Sequence, residues 1–249
     1  MIKVGFKMER IIDKFGFKCI ELSVMGRYAR LICPDAEPNG KWLLKTEYAD
    51  AFPELEIEML GRGYHVAYIE NQTRWHVDAD DMAKLALADL LREEYGLSEK
   101  CATVGMSCGG LQSIYFAAAH PDRVAVMFLD APVTNLLSCP AYVGNEEKMP
   151  EDFWGEFHNA TGITLSELLN YRNHPIDRVP ELLKNNIPIF LAAGDCDEVV
   201  PYTENGAYLE KYYKENGGII EVVMKRDVGH HPHCLPDNTP IIEFIEKYY

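Results

Sequence analysis

The chain has 249 residues, 47% hydrophobic and 25% charged, and a formal net charge of −15 from 24 Lys plus Arg against 39 Asp plus Glu. That size suits one large domain covering 1–249, and the acidity opposes a phosphate backbone or an anionic membrane surface, so neither nucleic acid nor membrane is an expected partner. No apolar run approaches the roughly 20 residues of a membrane helix, the seven cysteines form no CxxC pair, and MIKVGFKMER carries no apolar h-region; a cytoplasmic protein with reduced thiols is expected, with the choice between monomer and homo-oligomer left open.

From Ile11 to Cys33, IIDKFGFKCIELSV and YARLIC are β-branched, aromatic and partly alternating, which predicts opening antiparallel strands turned at Gly26. PDAEPNGKW has two prolines and an Asn-Gly pair and reads as a loop. KTEYADAFPELEIEMLGRG reads as a helix broken near Pro53 and stopped by Gly61 and Gly63, and YHVAYIE as a buried strand. DADDMAKLALADLLREEYG is the clearest helix, with acids at its start and Gly96 at its end.

CATVGM (strand), CGGLQSIYFAAAH (helix) and RVAVMFLD (strand) then alternate, as a parallel sheet covered by helices requires. Residues 131–175 interrupt the rhythm with Pro, Asn and aromatics and a helix at TLSELLNYRN, and are expected to form a lid-like insertion. Alternation resumes with IDRVPELLKNN, IPIFLAA, NGAYLEKYYKEN, GGIIEVVMK and TPIIEFIEKYY. The expectation is an α/β fold with about eight mostly parallel strands, antiparallel at the start, and helices on both faces.

Gly105-Met106-Ser107-Cys108-Gly109 has the form G-x-S-x-G where a strand gives way to a helix. Turning one into the other through a single residue crowds the backbone, so flanking glycines and an exposed central side chain make sense together. The helix start also aims free N–H groups at the same place. Against this, serine is a favoured helix N-cap; on this motif alone the two readings carry similar weight.

A serine nucleophile requires a base, and the base an orienting acid. After IPIFLAA comes Gly194-Asp195-Cys196-Asp197-Glu198-Val199-Val200-Pro201, and after the next strand RDVGHHPH, with histidines 230, 231 and 233. Ser, Asp and His in that order, each beyond a parallel strand, match the order of an α/β-hydrolase triad. Through GMSCGG, GDCDEVVP and GHHPH the chain resembles the α/β-hydrolase superfamily from about residue 16 onward. GKWLLKTEYADAF, GRGYHVAYI, LDAP and GHHPHCLPDNTPIIEFI look more narrowly like bacterial esterase-like hydrolases related to acyl-carbohydrate esterases and prolyl-oligopeptidase-type catalytic domains.

The resemblance maps the acid onto Asp197 and the base, which follows a glycine, onto His230, with Ser107 as nucleophile. Asp195, directly after Gly194, is better explained as a turn residue; Asp130 in FLDAP is a rival acid whose plainer role is a turn or cap before Pro132. The Cys108 N–H is the first oxyanion donor. The second should come from the loop after the third strand, where the superfamily often shows His-Gly and this chain has CPDAEPNGKW; Gly40, Lys41 and Trp42 are the candidates, Trp42 foremost.

His65, His120 and His174 read as structural. The histidines at 230, 231 and 233, with Cys234 beside them, raise a metal question, but no matching carboxylate or cysteine set is visible, so neither metal nor organic cofactor is expected. Cys108, Cys196 and Cys234 read as small packing residues.

The implied reaction is ester hydrolysis through an acyl-enzyme, with a small-molecule or carbohydrate ester, acetyl or feruloyl, as substrate. In YVGNEEKMPEDFWGEFHNATG, the residues Tyr142, Phe153, Trp154, Phe157 and His158 could roof a pocket, Phe153 and Trp154 above all, or merely pack the insertion. A peptidase or amidase with the same triad is the alternative, ahead of a non-catalytic binding protein.

Overall fold

The computed structural model describes residues 10–148 and 152–249. The reading of the N-terminal segment rests on residues 1–9 and so lies outside the described residues, as do positions 149–151 of the expected insertion. Nine strands share one sheet in the order β1-β2-β3-β5-β4-β6-β7-β8-β9. They are β1 (Arg10–Lys14), β2 (Phe17–Val24), β3 (Arg27–Ile32), β4 (Trp42–Lys45), β5 (His65–Ile69), β6 (Cys101–Met106), β7 (Val124–Asp130), β8 (Ile189–Gly194) and β9 (Ile220–Lys225).

The first three strands and β5 pair antiparallel, whereas β5, β4, β6, β7, β8 and β9 pair parallel. Eight helices accompany them among the described residues: α1 (Glu54–Leu60), α2 (Asp78–Tyr95), α3 (Cys108–Ala119), α4 (Phe153–Thr161), α5 (Leu165–Leu168), α6 (Pro175–Lys184), α7 (Gly206–Glu215) and α8 (Thr239–Tyr248). None is long and apolar enough to cross a membrane.

The period of two along each strand sorts the core into two layers. Leu44, Met127, Leu129, Ile189 and Leu191 face α2, α3, α6 and α7 through Leu87, Ile114, Val179 and Leu209. Their neighbours Leu43, Val126, Phe128, Phe190 and Ala192 face α1 and α8 through Leu55, Met59, Ile241 and Ile245. Both faces are covered, which is why these strands read as continuous apolar runs.

Several expectations need correction. The first long strand is two, because Phe15 and Gly16 turn at φ 56° and 86° between β1 and β2. WLLK is a strand, β4, where a loop and the start of a helix were expected. It is four residues long and buried at every position, so it shows neither alternation nor helical period. The helix expected from Lys45 begins at Glu54, and the intervening segment is a loop in which Tyr48 and Phe52 take φ 52° and 49°. The insertion holds α4, read as irregular, while the helix expected at TLSELLNYRN shortens to α5, started by a Thr164–Glu167 capping box.

Candidate active site

β6 ends at Met106 and α3 begins at Cys108, so Ser107 alone makes the turn, at φ 53° and ψ −120°. A non-glycine residue held there costs about 1–3 kcal/mol. The neighbours that hold it are backbone: Ser107 N–H donates to the Asp130 carbonyl at 2.9 Å, and the Ser107 carbonyl accepts from Gly110 and Val133. A Cβ on Gly105 would lie 2.4 Å from Ser113 Oγ and 2.6 Å from the Gly109 carbonyl oxygen, and one on Gly110 2.4 Å from Pro132 Cβ. At Gly109 the nearest atom would be 3.3 Å away. The steric demand therefore falls on Gly105 and Gly110 and only mildly on the second glycine of G-x-S-x-G.

The next two loops are clamped together. A Cβ on Gly194 would stand 2.2 Å and 2.3 Å from the carbonyl oxygens of Val228 and Gly229, so the chain after β8 passes the chain after β9 backbone to backbone. Cys196 N–H donates to the Val228 carbonyl at 3.0 Å, and Asp195 Oδ1 accepts from Asp227 N–H at 2.7 Å. Asp195 is thus the turn residue expected of it.

Asp197 is buried; its Oδ1 accepts from the N–H groups of Val199 and Val200, both at 2.9 Å, and its Oδ2 faces His230 Nδ1 at 2.8 Å. His230 Nε2 lies 3.0 Å from Ser107 Oγ. The three residues named from the sequence meet in one continuous hydrogen-bonded chain.

Asp130 is spent elsewhere. Both its oxygens accept from Lys225 Nζ, at 2.9 and 2.8 Å, and Oδ2 also accepts from Cys234 N–H at 2.6 Å. Burial opposes its ionisation, but the facing His233 and the Lys225 ammonium outweigh burial and keep its carboxyl below the usual range. Lys225 Nζ also donates to the Pro232 carbonyl, so this buried pair supports the histidine loop from beneath.

Cys108 stands at the first position of α3, where a helix leaves its N–H groups without intrahelical acceptors. Its thiol is pushed up to about 12 by burial, which excludes it as a rival nucleophile. Trp42 is a correction. Its N–H donates to the Tyr249 hydroxyl at 3.1 Å and its Nε1–H to the Ser98 carbonyl at 2.9 Å, at the beginning of β4, whereas the triad lies beyond the strand ends.

The loop that does leave β4 toward the triad is Thr46-Glu47-Tyr48. Thr46 Oγ1 ties it to the Val104 and Gly109 carbonyls and to Ser113 Oγ, directly under the elbow. The Tyr48 hydroxyl lies against the Cys108 side chain and the Arg74 guanidinium, and burial raises it far above its ordinary range, so it remains an O–H donor. The sequence signal for this loop is the apolar WLLK directly after Asn-Gly, which marks a short strand ahead of Tyr48.

Around Tyr48 the wall comes from two places. Arg74, beyond β5, donates from Nε to Glu156 Oε2 on α4 at 2.7 Å, with Nη2 at 2.5 Å, and lies over the Phe153 ring at 4.7 Å. Trp75 meets Phe153 and Phe157 edge to face, and Trp75, Cys108, Tyr142 and Phe157 belong to one buried cluster. Phe153 is thereby joined to the wall of the site. Trp154 stacks on His158 and meets Phe157 at a tilt within α4, a packing role. The Tyr142 hydroxyl donates to the Val199 carbonyl at 2.6 Å, fastening the insertion to the acid loop.

A sequence model of the prolyl oligopeptidase family matches residues 54–246. Among solved structures, an acylaminoacyl peptidase from Pyrococcus horikoshii superposes with a TM-score of 0.68 at 14% identity over 99% of this chain and 42% of its own. Acetyl xylan esterase 1 from Thermoanaerobacterium sp. JW/SL YS485 gives 0.64 at 16% identity over 99% of this chain and 88% of its own. Est1E from Butyrivibrio proteoclasticus gives 0.59 at 16% identity over 97% and 99%. The chain thus spans about two fifths of the peptidase, and at these identities the superpositions establish the fold, that of the α/β-hydrolases.

Proposed function

The chain belongs to the prolyl oligopeptidase family and is a serine hydrolase, and on that premise we propose that it is a carboxylesterase using Ser107, His230 and Asp197 on small acyl esters, acetyl or feruloyl esters of carbohydrates being the class that fits the aromatic wall. The observation that carries the catalytic part is the unbroken chain Ser107 Oγ, His230, Asp197 at 3.0 and 2.8 Å.

His230 Nε2 takes the Ser107 proton as Oγ attacks the ester carbonyl. Asp197, with Oδ1 locked by two backbone donors, offers only Oδ2 to His230; this fixes the proton on Nδ1 and stabilises the imidazolium. The Cys108 N–H and the Tyr48 O–H receive the developing oxyanion, so Tyr48 replaces Trp42 as second donor. His230 then gives its proton to the leaving alcohol, and the cycle repeats with water as nucleophile.

Ester is favoured over peptide by the state of the surrounding carboxylates. Glu47 accepts from Asn71 and from Tyr48 N–H, Asp130 is bound to Lys225, Glu156 to Arg74 and Trp75, and Glu198 to Lys148. Three of these four already carry a cation, which leaves Glu47, held by two neutral donors, as the one of them with charge to offer the ammonium of a peptide N-terminus. Phe153, half-buried with Trp75 behind it, is the aromatic surface for a sugar or a phenolic acyl group.

Initial rates on p-nitrophenyl acetate, on acetylated and feruloylated sugars and on amino-acyl p-nitroanilides separate the readings. Ester turnover with inert anilides is expected. Efficient anilide cleavage with poor ester turnover would transfer the assignment to a peptidase.

A further inference from the structure

Three imidazoles crowd the loop after β9, and the serine mechanism uses one. His230, His231 and His233 each bring a ring nitrogen within 4.8 Å of the other two. Their ring centroids stand 4.9, 5.0 and 5.0 Å apart, a near-equilateral triangle. His233 is 6% exposed, and its Nδ1 is buried without a hydrogen bond, 3.5 Å from an Asp130 oxygen. His231 is exposed, with its ring against Phe52 at 5.5 Å, and among the described residues no hydrogen bond reaches either of its nitrogens.

Behind two of the three rings stands a buried carboxylate: Asp197 at His230 Nδ1 and Asp130 at His233 Nδ1. The hydrogen bond to Asp197 orients His230 and presents its other nitrogen, as in metal-ligating histidines, while Asp130 at 3.5 Å sets a negative charge beside His233 without hydrogen-bonding it. These are the acidic partners that spacing along the sequence did not reveal, since they arrive from β7 and from the loop after β8. Two carboxylates against one ammonium, Lys225, leave the surroundings with a net charge of −1, favourable to a dication.

We propose that His230, His231 and His233 form a binding site for a borderline divalent transition cation of the Zn2+ kind, and that its capture switches the hydrolase off by withdrawing His230 Nε2 from Ser107. Three imidazoles plus one water complete the tetrahedron that zinc favours. Nitrogens at the corners of a triangle with 4.8 Å sides lie about 2.8 Å from its centre, so a zinc–nitrogen bond of about 2.1 Å asks each ring to move by under roughly 1 Å. The exposed His231 moves freely. Mg2+ and Ca2+, which take oxygen ligands, do not suit this donor set. The switch rests on the triad reading above, whereas the capture of the metal does not.

The test is a titration of the chelator-treated full chain with Zn2+ alone, read by calorimetry and, in parallel, by the rate at which a fluorophosphonate labels Ser107. His231→Ala and Cys196→Ser are compared, each against its own metal-free rate, because Cys196 is the exposed thiol in the neighbouring loop. Expected are one Zn2+ per chain, a labelling rate reduced roughly tenfold or more and restored by EDTA, binding weakened at least about tenfold in His231→Ala, and no change in Cys196→Ser.

Equal binding by wild type and His231→Ala, inhibition that follows Cys196, or no binding up to millimolar Zn2+ would overturn the site. Binding that leaves labelling untouched would overturn the switch. Failure of metal-free wild type to label would overturn the triad reading and leave the calorimetry to judge the metal site by itself.

Discussion

The Ser107–His230–Asp197 chain and the aromatic wall beside it are held in place by different means. Ser107, Asp197 and His230 sit on turns fixed by backbone contacts: the Asp130 carbonyl under Ser107, the Val199 and Val200 N–H groups on Asp197, and the Val228 and Gly229 carbonyls against Gly194. Tyr48, Arg74, Trp75 and Phe153 are held by side chains reaching one another from the loops after β4 and β5 and from α4. Backbone-fixed geometry tolerates no insertion of atoms, whereas a wall of side chains can be re-cut to suit another acyl group without touching the reacting atoms. Under the proposed function, chemistry and specificity therefore belong to separable parts of the molecule.

The sharpest way to break that division is at the elbow. Ser107→Ala should lower kcat for an ester by roughly 10^4-fold or more with the fold intact, while Cys108→Ala, which keeps the N–H and removes only a protonated thiol, should stay within about tenfold of wild type. Next come the glycines. Gly194→Ala and Gly110→Ala force a methyl into backbone or Pro132 at under 2.5 Å and should cost about 3 kcal/mol or more of stability, read by denaturant melts. Gly109→Ala, whose added methyl would meet the Glu47 side chain at 3.3 Å, a tight contact that a small shift relieves, should cost under about 1 kcal/mol. If Gly109 proved the more sensitive, the steric account of the elbow would be wrong.

Tyr48→Phe sharpens the comparison from the side of the wall. Losing one oxyanion donor should lower kcat by about 10^2-fold and leave KM within a fewfold. Phe153→Ala should do the reverse, raising KM severalfold for a feruloyl or sugar ester while the rate on p-nitrophenyl acetate barely changes.

The smallest effect concerns pH. His174 is buried, and its Nδ1 accepts from Leu136 N–H at 3.1 Å, joining the two ends of the insertion; burial lowers its pKa, as it does that of His65. The unfolded chain, with imidazoles near 6.5, binds these protons first, so their contribution to stability is complete above about pH 6.5 and is lost as pH falls toward the lower folded values. Thermal melts should shift downward between pH 7 and 5, and His174→Gln should reduce that shift.

The same division governs what could be read from the sequence. The elbow, the acid turn and the histidine turn each sit beyond a strand of five residues or more with a helix following, so apolar runs and turn residues placed them, and chain order assigned Ser107, Asp197 and His230. Trp42 failed because β4 is too short to show a period, which moved the expected oxyanion loop to the wrong end of the strand. Tyr48 and Arg74 were invisible, since a wall built from the contacts of distant segments leaves no spacing to find. The partners of Asp130 escaped for the same reason: Lys225 and His233 lie 95 and 103 positions away in the chain.

The central claim is acyl transfer through Ser107, and intact-protein mass spectrometry of the enzyme quenched in acid during p-nitrophenyl acetate turnover tests it most directly. A mass increase of one acetyl group that maps to the peptide containing Ser107, and that vanishes in Ser107→Ala, is the predicted result. Turnover at wild-type rate in Ser107→Ala, or an acetyl group carried instead by Cys196 or a lysine, would contradict the account.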